Sequence, residues 1–435
     1  MLSKRWYPLK LIPAQIRFVN SAARVDVVEA GRRSGKTELV KRMAVEETVS
    51  MGDSYGRWFT KLCAPTLRQA VDIYWDDIKE LSKPFWSRRP SITDKVVYLG
   101  GGEIWICGLD KPQRIEGSPM NRLGMDELAD VKQGAWERHL KPALDTEQPG
   151  YPAARAWLYG VPRPGSQFGQ LAEMAKDPLE PSYAYHTWTS EEVLSPEKIA
   201  EAKRTMDERV YAQEYLAQRV SMEGMAYYAW DRTVHLRDVA YNPSLPLVFS
   251  LDFNVDPGTA VIMQEQTIGE TATTCVIDEV HIPRNSTTPA VARKLVAEWG
   301  HHKGEVYLYG DPAGGNRHTS QTDGTDWELV RQILRPAFGD RLRWRVARSH
   351  PSIRDRVNCV NSRMRSADGT VRMAVHPRKA PNVVKDFEGV TLLKGGSGEI
   401  DKKGCEDKGL THLSEAIGYY IHEKHPIGGA VTAIY

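Results

Sequence analysis

The segment AGRRSGKT, residues 30–37, constrains the fold and chemistry of this chain more than any other stretch of its sequence. Four residues separate Ala30 from Gly-Lys-Thr, the spacing of a phosphate-binding loop whose first position is usually glycine. In such a loop the backbone N–H groups face phosphate oxygens, Lys36 reaches the terminal phosphates, and Thr37 supplies a hydroxyl to Mg²⁺. The segment therefore predicts a nucleoside triphosphate site, and the alternative is a glycine turn without a ligand.

The residues on either side of this loop favour the same interpretation. RVDVVEA, before the loop, reads as a strand, and KTELVKRMAVEETVS, after it, has the Leu39 and Met43 spacing of a helix. Strand-like and helical runs alternate to about residue 215, which is typical of a parallel α/β sheet. Within that half, KVVYLGGGEIWICG predicts an antiparallel hairpin.

The chain is too long for one ordinary core, because 435 residues exceed the usual size of a single domain. SPEKIAEAKRTMDERVYAQEYLAQR, residues 195–219, predicts a strongly helical segment with a Ser-Pro start, after which the periodicity is lost. PLVFSLDFNVDPGTAVIMQEQ then begins a new series of strands. We predict a first domain over 1–215, a linker over 216–245 and a second domain over 246–435.

Composition excludes several classes of protein. Hydrophobic residues make up 41% of the chain and charged residues 26%, as in a globular protein in water. No apolar run approaches the roughly 20 residues of a membrane span. The five cysteines form no CxxC pair, and the net charge is +2. We therefore expect no zinc module, no disulfide framework, no membrane association and no histone-like binding of nucleic acid.

Two adjacent acids, Asp126 and Glu127 in NRLGMDELADV, follow a short apolar run in the same half as the loop. Hydrolysis of a nucleoside triphosphate requires a carboxylate near Mg²⁺ and often a second one that activates water. We interpret this pair as those two groups.

Further acids follow strand-like runs in the second half. Asp252 stands in SLDFN, Asp311 stands in YGDPAG, and a cluster extends over residues 406–415. Two-metal cleavage of a phosphodiester requires hard oxygen ligands that converge on divalent ions roughly 4 Å apart. These acids therefore predict a nuclease site, and the alternative is that each is only a turn residue.

Several motifs, in their order and spacing, resemble one known family: AQIRFVNS, GRRSGKT, APTLRQAVDIYW, GLDKPQRIEGSPMNRLGMDELAD, WLYGVPRP, VYAQEYLAQ, SLDFNVDPGTAV, YLYGDPAG and THLSEAIGYY. Together they resemble the large terminase subunit of tailed bacteriophages, a motor that packages DNA into a capsid. The resemblance covers nearly the whole chain. It implies an α/β fold with a P-loop ATPase domain of the additional-strand class and a parallel sheet, followed by an RNase H-like nuclease domain.

For the first domain the resemblance implies a site for ATP with Mg²⁺. Gln15 would read adenine, Asp126 would be the metal partner together with Thr37, and Glu127 would be the catalytic base. The coupling motif that senses hydrolysis would be Gly160–Pro162, with Val161 where the family commonly has threonine. The implied ATP-binding residues are Gln15, Gly31, Arg32, Arg33, Ser34, Gly35, Lys36, Thr37 and Asp126.

An arginine that stabilises transition-state charge is also expected, since such a residue contributes about 10³- to 10⁵-fold in rate. Arg32 lies inside the loop, where some members place this arginine. Arg114 precedes EGSP, near the position from which other members supply an arginine to a neighbouring subunit. The sequence leaves both open.

For the second domain the resemblance implies that Asp252, Asp311 and Glu415 bind two divalent ions, Mg²⁺ or Mn²⁺. Glu415 stands in HLSEAIGYY where the family typically has aspartate, with His412 ahead of it. The alternatives for this third ligand are Asp407 and Asp401. Asp256 is a possible supporting ligand.

The implied function is packaging of double-stranded DNA into a procapsid through the portal, with cleavage of concatemeric DNA at the start and end. The implied partners are the portal protein, a small terminase subunit and further copies of the chain in a docked ring, with a monomer in solution. The implied location is the host cytoplasm and transiently the procapsid portal, not the mature virion. The alternatives are a helicase-like or repair ATPase with an appended nuclease, and a non-enzymatic, nucleotide-switched assembly module.

Overall fold

The computed structural model describes residues 5–117, 119–132, 134–146, 148–163, 166–220, 224–253, 256–315, 325–393, 398–406 and 409–427. The chain divides into two compact units. Unit 1 comprises Met1–Ile199 and Ala212–Val220, and unit 2 comprises Ala200–Tyr211 and Ser221–Tyr435. The domain boundaries at 215 and 246 stay a prediction.

Unit 1 is built on a mixed sheet of eight strands in the order β3-β4-β5-β2-β6-β7-β1-β8 within the described residues. Most neighbouring strands are parallel, and only β3, β4 and β5 pair antiparallel to one another. The strands are β1 Val25–Ala30, β2 Trp58–Ala64, β3 Trp86–Ser91, β4 Val96–Leu99, β5 Gly102–Gly108, β6 Arg122–Asp126, β7 Arg155–Gly160 and β8 Tyr183–Trp188. The helices up to β8 are α1 Pro13–Val19, α2 Lys36–Tyr55, α3 Leu67–Ala70, α4 Asp76–Ser82, α5 Lys141–Leu144 and α6 Gln167–Lys176.

The order of the central strands confirms the predicted α/β class. β1 ends at the glycine-containing loop, β6 ends at the acid pair, and β7 is inserted between them, parallel to both. An additional strand in this position is what the predicted ATPase class requires. All residues of β1 and β6 are buried, as in parallel strands that are covered on both faces. The predicted hairpin is also confirmed, as β4 and β5.

The strongly helical character predicted for 195–219 is confirmed for most of the segment, but the helix is broken once and ends before residue 219. The segment forms α7 Pro196–Thr205 and α8 Glu208–Glu214, and the chain beyond Glu214 is not helical. Asp207 breaks the helix because its Oδ1 accepts a hydrogen bond of 3.0 Å from the Val210 N–H, as a residue before a new helix does. The periodicity of the sequence continues through this break, so it could not be read from the pattern alone.

Unit 2 is built on a second mixed sheet, in the order β13-β12-β9-β10-β11-β14 within the described residues. β9, β10 and β11 are antiparallel neighbours, and β12 pairs parallel to β9. The strands are β9 Leu247–Asp252, β10 Gly258–Ile268, β11 Thr271–Ile282, β12 Val306–Gly310, β13 Leu342–Trp344 and β14 Met373–Val375. The helices are α9 Arg232–His235, α10 Thr288–Trp299, α11 Asp326–Phe338, α12 Ile353–Met364, α13 Pro381–Gly389, α14 Lys402–Glu406 and α15 His412–Lys424.

The core of unit 2 explains how its acids are positioned. Phe249, Ile262, Leu308 and other apolar residues of β9, β10 and β12 are buried in one hydrophobic cluster. α15 contacts these three strands, and the Ser250 hydroxyl donates a 2.6 Å hydrogen bond to the Ala416 carbonyl. Three antiparallel strands followed by a parallel fourth strand are the predicted RNase H-like arrangement. In the described part of the chain, no helix is long and apolar enough to cross a membrane.

The buried cap of α8 makes stability depend on pH. Burial raises the pKa of Asp207 from its ordinary 3.8 to about 7. Between these pH values the folded chain keeps a proton that the unfolded chain has lost, so this carboxyl lowers stability as pH rises. The full effect is up to about 4 kcal/mol. We therefore expect the melting temperature of Asp207→Asn, measured relative to that of wild type, to rise as the pH is raised from 4.5 to 7.5.

Differential scanning calorimetry of both proteins across this range measures the effect. The control is Asp340→Asn, because Asp340 is an exposed carboxyl of the same unit. A difference between Asp207→Asn and wild type that stays constant with pH would contradict the prediction.

Candidate functional site

The predicted phosphate loop lies between β1 and α2, at the carboxyl ends of the parallel strands. Its turn requires residues with positive φ, and Gly35 (87°) and Arg33 (58°) supply them. The Gly31 N–H donates a 3.0 Å hydrogen bond to the Trp188 carbonyl at the end of β8. A Cβ atom on Gly31 would lie 2.5 Å from the Tyr215 carbonyl oxygen, so only glycine fits here. The loop is therefore held by backbone hydrogen bonds to the Trp188 carbonyl at the end of β8 and to the Glu214 carbonyl.

Gln15 and Lys36 both contact the loop, and their predicted roles toward adenine and phosphate stay predictions. Gln15 is buried on α1, and its Nε2 donates a 2.9 Å hydrogen bond to the Ser34 carbonyl. The Lys36 ammonium lies 3.4 Å from the Gly31 carbonyl oxygen. Trp188, which sequence reasoning missed, donates from its indole nitrogen to the Ser34 hydroxyl at 2.9 Å. A lone tryptophan at the end of a strand carries no sequence signal for this role.

The acid pair lies beside the loop. The Thr37 hydroxyl donates a 2.9 Å hydrogen bond to Asp126 Oδ2, so the two predicted Mg²⁺ ligands are adjacent. Burial raises the pKa of the Asp126 carboxyl, against the positive charge of Lys36 and the hydrogen bond from Thr37. A hydroxyl and a carboxylate in contact are hard oxygen donors, and they fit a magnesium ion bound to phosphate.

Glu127 combines an unusual backbone conformation with a buried carboxylate oxygen. Its backbone is left-handed, with a φ of 52°, and its N–H donates a 2.9 Å hydrogen bond to the Tyr159 carbonyl. Its Oε2 is buried and has no hydrogen-bond partner among the described residues. Burial raises the pKa of Glu127 to about 7, against the positive charge of Lys36. A carboxylate with this pKa can accept a proton from water near neutral pH.

The predicted coupling motif lies directly behind Glu127. Gly160 ends β7, and a Cβ atom there would lie 3.3 Å from Glu127 Oε2. The Val161 side chain is buried and has no hydroxyl. The Pro162 carbonyl accepts a 2.9 Å hydrogen bond from Gln213 Nε2. The motif is thus in contact with the candidate base and with residue 213.

Of the two predicted arginines, only Arg32 is brought to the loop. Its Nε donates a 2.8 Å hydrogen bond to Glu214 Oε2, and its backbone N–H donates to the Glu214 carbonyl at 2.6 Å. Arg114 is exposed on a short 3-10 helix, and its side chain makes no hydrogen bond to the loop within the described residues. Sequence reasoning missed Glu214 and also Arg163, whose Nη2 lies 3.6 Å from Glu214 Oε1.

The three predicted nuclease acids of unit 2 line one cavity of about 560 Å³. β9 and β12 are parallel neighbours with Leu251 opposite Gly310, so Asp252 and Asp311 leave the sheet at the same end. Glu415 comes from the first turn of α15, which packs over these strands. The other residues that line this carboxylate cleft are Phe253, His350, Pro351, Ser352, Ile353, Arg356, Glu399, Lys402, Thr411, His412 and Tyr419.

Each of the three predicted nuclease acids lies beside a basic side chain. His412 Nδ1 lies 3.1 Å from Asp252 Oδ2, and His350 Nε2 lies 3.2 Å from Asp311 Oδ1. Lys402 Nζ lies 3.2 Å from Glu415 Oε1. Burial raises the pKa of the Asp252 carboxyl. Carboxylates are the donors that Mg²⁺ and Mn²⁺ prefer, so the donor chemistry of these acids suits divalent ions, although their present ion pairs keep them apart from a single binding point.

The alternative third ligands lie elsewhere. Asp401 Oδ1 accepts a 3.1 Å hydrogen bond from the Gly404 N–H, and Asp256 Oδ1 accepts one of 2.9 Å from the Ser286 N–H. Neither residue lines the carboxylate cleft. Asp407 lies outside the described residues. Among the residues described, no three His, Cys, Asp or Glu side chains stand close enough together to hold one metal ion.

Comparisons with known proteins confirm the fold and the resemblance. No family model matches the sequence. The large terminase subunit of Escherichia phage T5 is 24% identical over 230 residues, which cover 49% of this chain and 50% of the T5 protein. The chain thus matches about half the length of that relative.

Solved structures match over nearly the whole chain. The large terminase of a thermophilic bacteriophage in complex with ADP has a TM-score of 0.63 at 14% identity, covering 95% of this chain and 99% of that chain. The same phage protein in complex with ATP-gamma-S has a TM-score of 0.59 at 15% identity, covering 98% and 99%. The chain therefore has the fold of a large terminase.

The close packing around Gly31 generates a prediction. In Gly31→Ala the new methyl group would overlap backbone atoms of Ser190 and Tyr215, which cannot rotate away. We expect a loss of about 3 kcal/mol in the free energy of unfolding of unit 1, together with weakened ATP binding. Calorimetry and titration with ATP and Mg²⁺ measure both effects.

The matched control is Gly117→Ala, because Gly117 has a φ of 74° but no atom within 4 Å of an added Cβ. This control carries only backbone strain, about 1 kcal/mol. Equal losses in the two variants would mean that the contacts with Ser190 and Tyr215 do not hold the loop.

Proposed function

We propose that this protein is a DNA-packaging motor of the terminase type, with ATP hydrolysis in unit 1 and metal-dependent DNA cleavage in unit 2. The observation that carries the proposal is the meeting of Lys36, Thr37, Asp126 and Glu127 at one edge of the first sheet. It is supported by the carboxylate cleft in unit 2 and by the terminase fold. The proposed cofactors are ATP with Mg²⁺ in unit 1 and two divalent ions, Mg²⁺ or Mn²⁺, in unit 2.

In the ATPase site each residue has one role. The loop from Gly31 to Gly35 would bind phosphate oxygens through backbone N–H groups, and Lys36 would neutralise their charge. Gln15 would contact the adenine. Thr37 and Asp126 would hold Mg²⁺, which when bound withdraws charge from the phosphates. Glu127 would accept the proton of the attacking water, and its buried, unpartnered Oε2 supports this role.

The coupling motif, Gly160 to Pro162, would pass the state of the nucleotide to the rest of unit 1. Its support is the contact between Gly160 and Glu127 together with the bond from Gln213 to the Pro162 carbonyl. Arg32 is positioned to act on phosphate within the same chain. Arg114 is exposed, as a residue that reaches into a neighbouring subunit must be.

In the carboxylate cleft, Asp252, Asp311 and Glu415 would hold the divalent ions. Bound ions supply a metal-activated water and stabilise the charge on the cleaved phosphodiester. Binding of cations would replace the present ion pairs, and Lys402 and Arg356 would become free to contact the DNA backbone. Such contacts position DNA without reading its sequence.

The proposed partners and location follow from the terminase type. They are double-stranded DNA, the portal protein, a small terminase subunit and copies of the same chain in a docked ring, with a monomer in solution. The proposed location is the host cytoplasm and, transiently, the procapsid portal, but not the mature virion. A helicase-like ATPase is disfavoured because antiparallel β9, β10 and β11 are foreign to a second RecA-like domain.

The proposed base generates a prediction for unit 1. Glu127→Gln keeps the shape of the side chain but cannot accept a proton, so we expect kcat for ATP to fall at least about 10²-fold. The Kd for ATP should change little. Steady-state phosphate release and a nucleotide titration measure the two quantities. The control is Glu137→Gln, because Glu137 is exposed in the same unit; a Glu127→Gln variant as active as this control would remove Glu127 as the base.

The proposed metal ligands generate a prediction for unit 2. We expect the full-length protein to cut supercoiled plasmid with Mg²⁺ or Mn²⁺, and Asp252→Ala or Glu415→Ala to abolish cutting. Each variant lacks one hard oxygen ligand of the two-metal site. Gel electrophoresis of the plasmid measures the products, with Glu270→Ala as the control because Glu270 is exposed outside the carboxylate cleft.

Asp401→Ala tests the alternative third ligand. Cutting that survives Glu415→Ala and is lost in Asp401→Ala would transfer the role to Asp401. A folded wild-type protein that hydrolyses ATP but never cuts DNA would leave an ATP-driven assembly module as the better account.

A further inference from the structure

The Arg163 side chain is a mostly buried cation of unit 1 with unpaired nitrogens. It follows the coupling motif directly, and only 18% of its side chain is exposed. Its Nε and Nη1 are buried and have no hydrogen-bond partner among the described residues. Its third nitrogen, Nη2, lies 3.6 Å from Glu214 Oε1. Two buried nitrogens of a cation, which carry three N–H donors, are thus unpaired within the described part of the chain.

Such an arrangement is unfavourable unless something else binds there. A buried donor left unpaired costs about 1–3 kcal/mol, and more when the group is charged. Native proteins leave few polar groups in this state. Glu214 cannot meet the need, because its other oxygen, Oε2, already accepts a 2.8 Å hydrogen bond from Arg32. One carboxylate therefore serves two guanidinium groups.

The Arg163 guanidinium lies within electrostatic range of the candidate ATPase site. The positive charges of Lys36 and Arg163 both act on the Glu127 carboxylate. Arg32 also interacts electrostatically with Glu127. The unpaired Oε2 of Glu127 and the unpaired nitrogens of Arg163 thus lie within reach of one another's charge, and they form no hydrogen bond. An anion bound between the phosphate loop and Glu127 would satisfy the guanidinium.

The backbone of Arg163 is fixed. Its carbonyl accepts a 2.7 Å hydrogen bond from the Ser166 hydroxyl at the start of α6. The preceding carbonyl, that of Pro162, accepts the hydrogen bond from Gln213. A guanidinium on a fixed backbone needs little rearrangement to bind, and this preorganisation is what makes charge stabilisation effective in hydrolysis.

We propose that Arg163 binds the terminal phosphate of ATP in the same chain and stabilises the negative charge that develops during hydrolysis, with Glu214 as its positioning residue. The inference rests on the proposed ATPase function. It adds a third arginine to Arg32 and Arg114. It also gives the coupling motif a group that senses the phosphate, a role that Val161 cannot fill because it has no hydroxyl. Loss of the phosphate would release Arg163, and the change would pass to the adjacent motif.

The test compares Arg163→Ala, Arg163→Lys and the control Arg68→Ala in the full-length protein. Arg68 is an exposed arginine of the same unit, on α3. We expect Arg163→Ala to lower kcat for ATP about 10³-fold. Arg163→Lys keeps the charge but lacks the fork of donors, so we expect an intermediate loss. Thermal unfolding confirms that each variant is folded.

A second measurement separates charge stabilisation from a structural role. Calorimetric titration gives the Kd for ADP with Mg²⁺, alone and with aluminium fluoride, which mimics the phosphate in the transition state. We expect wild type to bind the fluoride complex more tightly than ADP alone. In Arg163→Ala this preference should disappear, while the Kd for ADP alone stays near that of wild type.

Each outcome decides the matter. If wild type neither binds nor hydrolyses ATP, the proposed function itself fails. If wild type hydrolyses ATP and Arg163→Ala keeps its kcat or its preference for the fluoride complex, only the inference about Arg163 is overturned. A lower kcat with that preference intact and a shifted pH profile would mean that Arg163 acts through Glu127. Should Arg163→Ala not fold, the same two measurements on Arg163→Lys decide.

Discussion

The hydrogen bond between the Thr37 hydroxyl and the Asp126 carboxylate joins two motifs that are far apart in the sequence. It forms because β1 and β6 are both parallel to β7, so that the loop, the acid pair and Gly160 all leave the sheet at one edge. The insertion of β7 also brings the coupling motif against Glu127. The parallel order β6-β7-β1 therefore brings all parts of the candidate site together. Without that order, each motif would be a separate surface feature.

Sequence reasoning found the parts of this site that have a local signature. The loop, the acid pair and the hairpin each depend on neighbouring residues, and they appear in the structure as expected. Trp188, Glu214 and Arg163 could not be found in this way, because their partners are distant: Trp188 lies 154 positions from Ser34, and Glu214 lies 182 from Arg32. The break at Asp207 was missed because a buried cap interrupts a periodicity that continues on both sides.

The carboxylate cleft shows the same division. Asp252 and Asp311 could be read from the sequence because each directly follows a buried apolar strand. Glu415 lies on a helix, and only the packing of α15 over β9 brings it to the other two. The basic partners His350 and Lys402 come from other segments and have no common spacing. The Lys402 ammonium offsets part of the mutual repulsion of the clustered carboxylates.

Because residues Ala212–Val220 are attached to the phosphate loop, movement of one is passed to the other. The Glu214 carbonyl accepts a hydrogen bond of 2.6 Å from the Arg32 N–H of the loop, and the Arg219 guanidinium donates hydrogen bonds of 2.9 to 3.1 Å to Glu29 of β1. A force on residues 212–220 would therefore also act on β1 and on the phosphate loop. The same bonds work in the opposite direction. A loop that tightens around a bound phosphate would therefore move residues 212–220 with it.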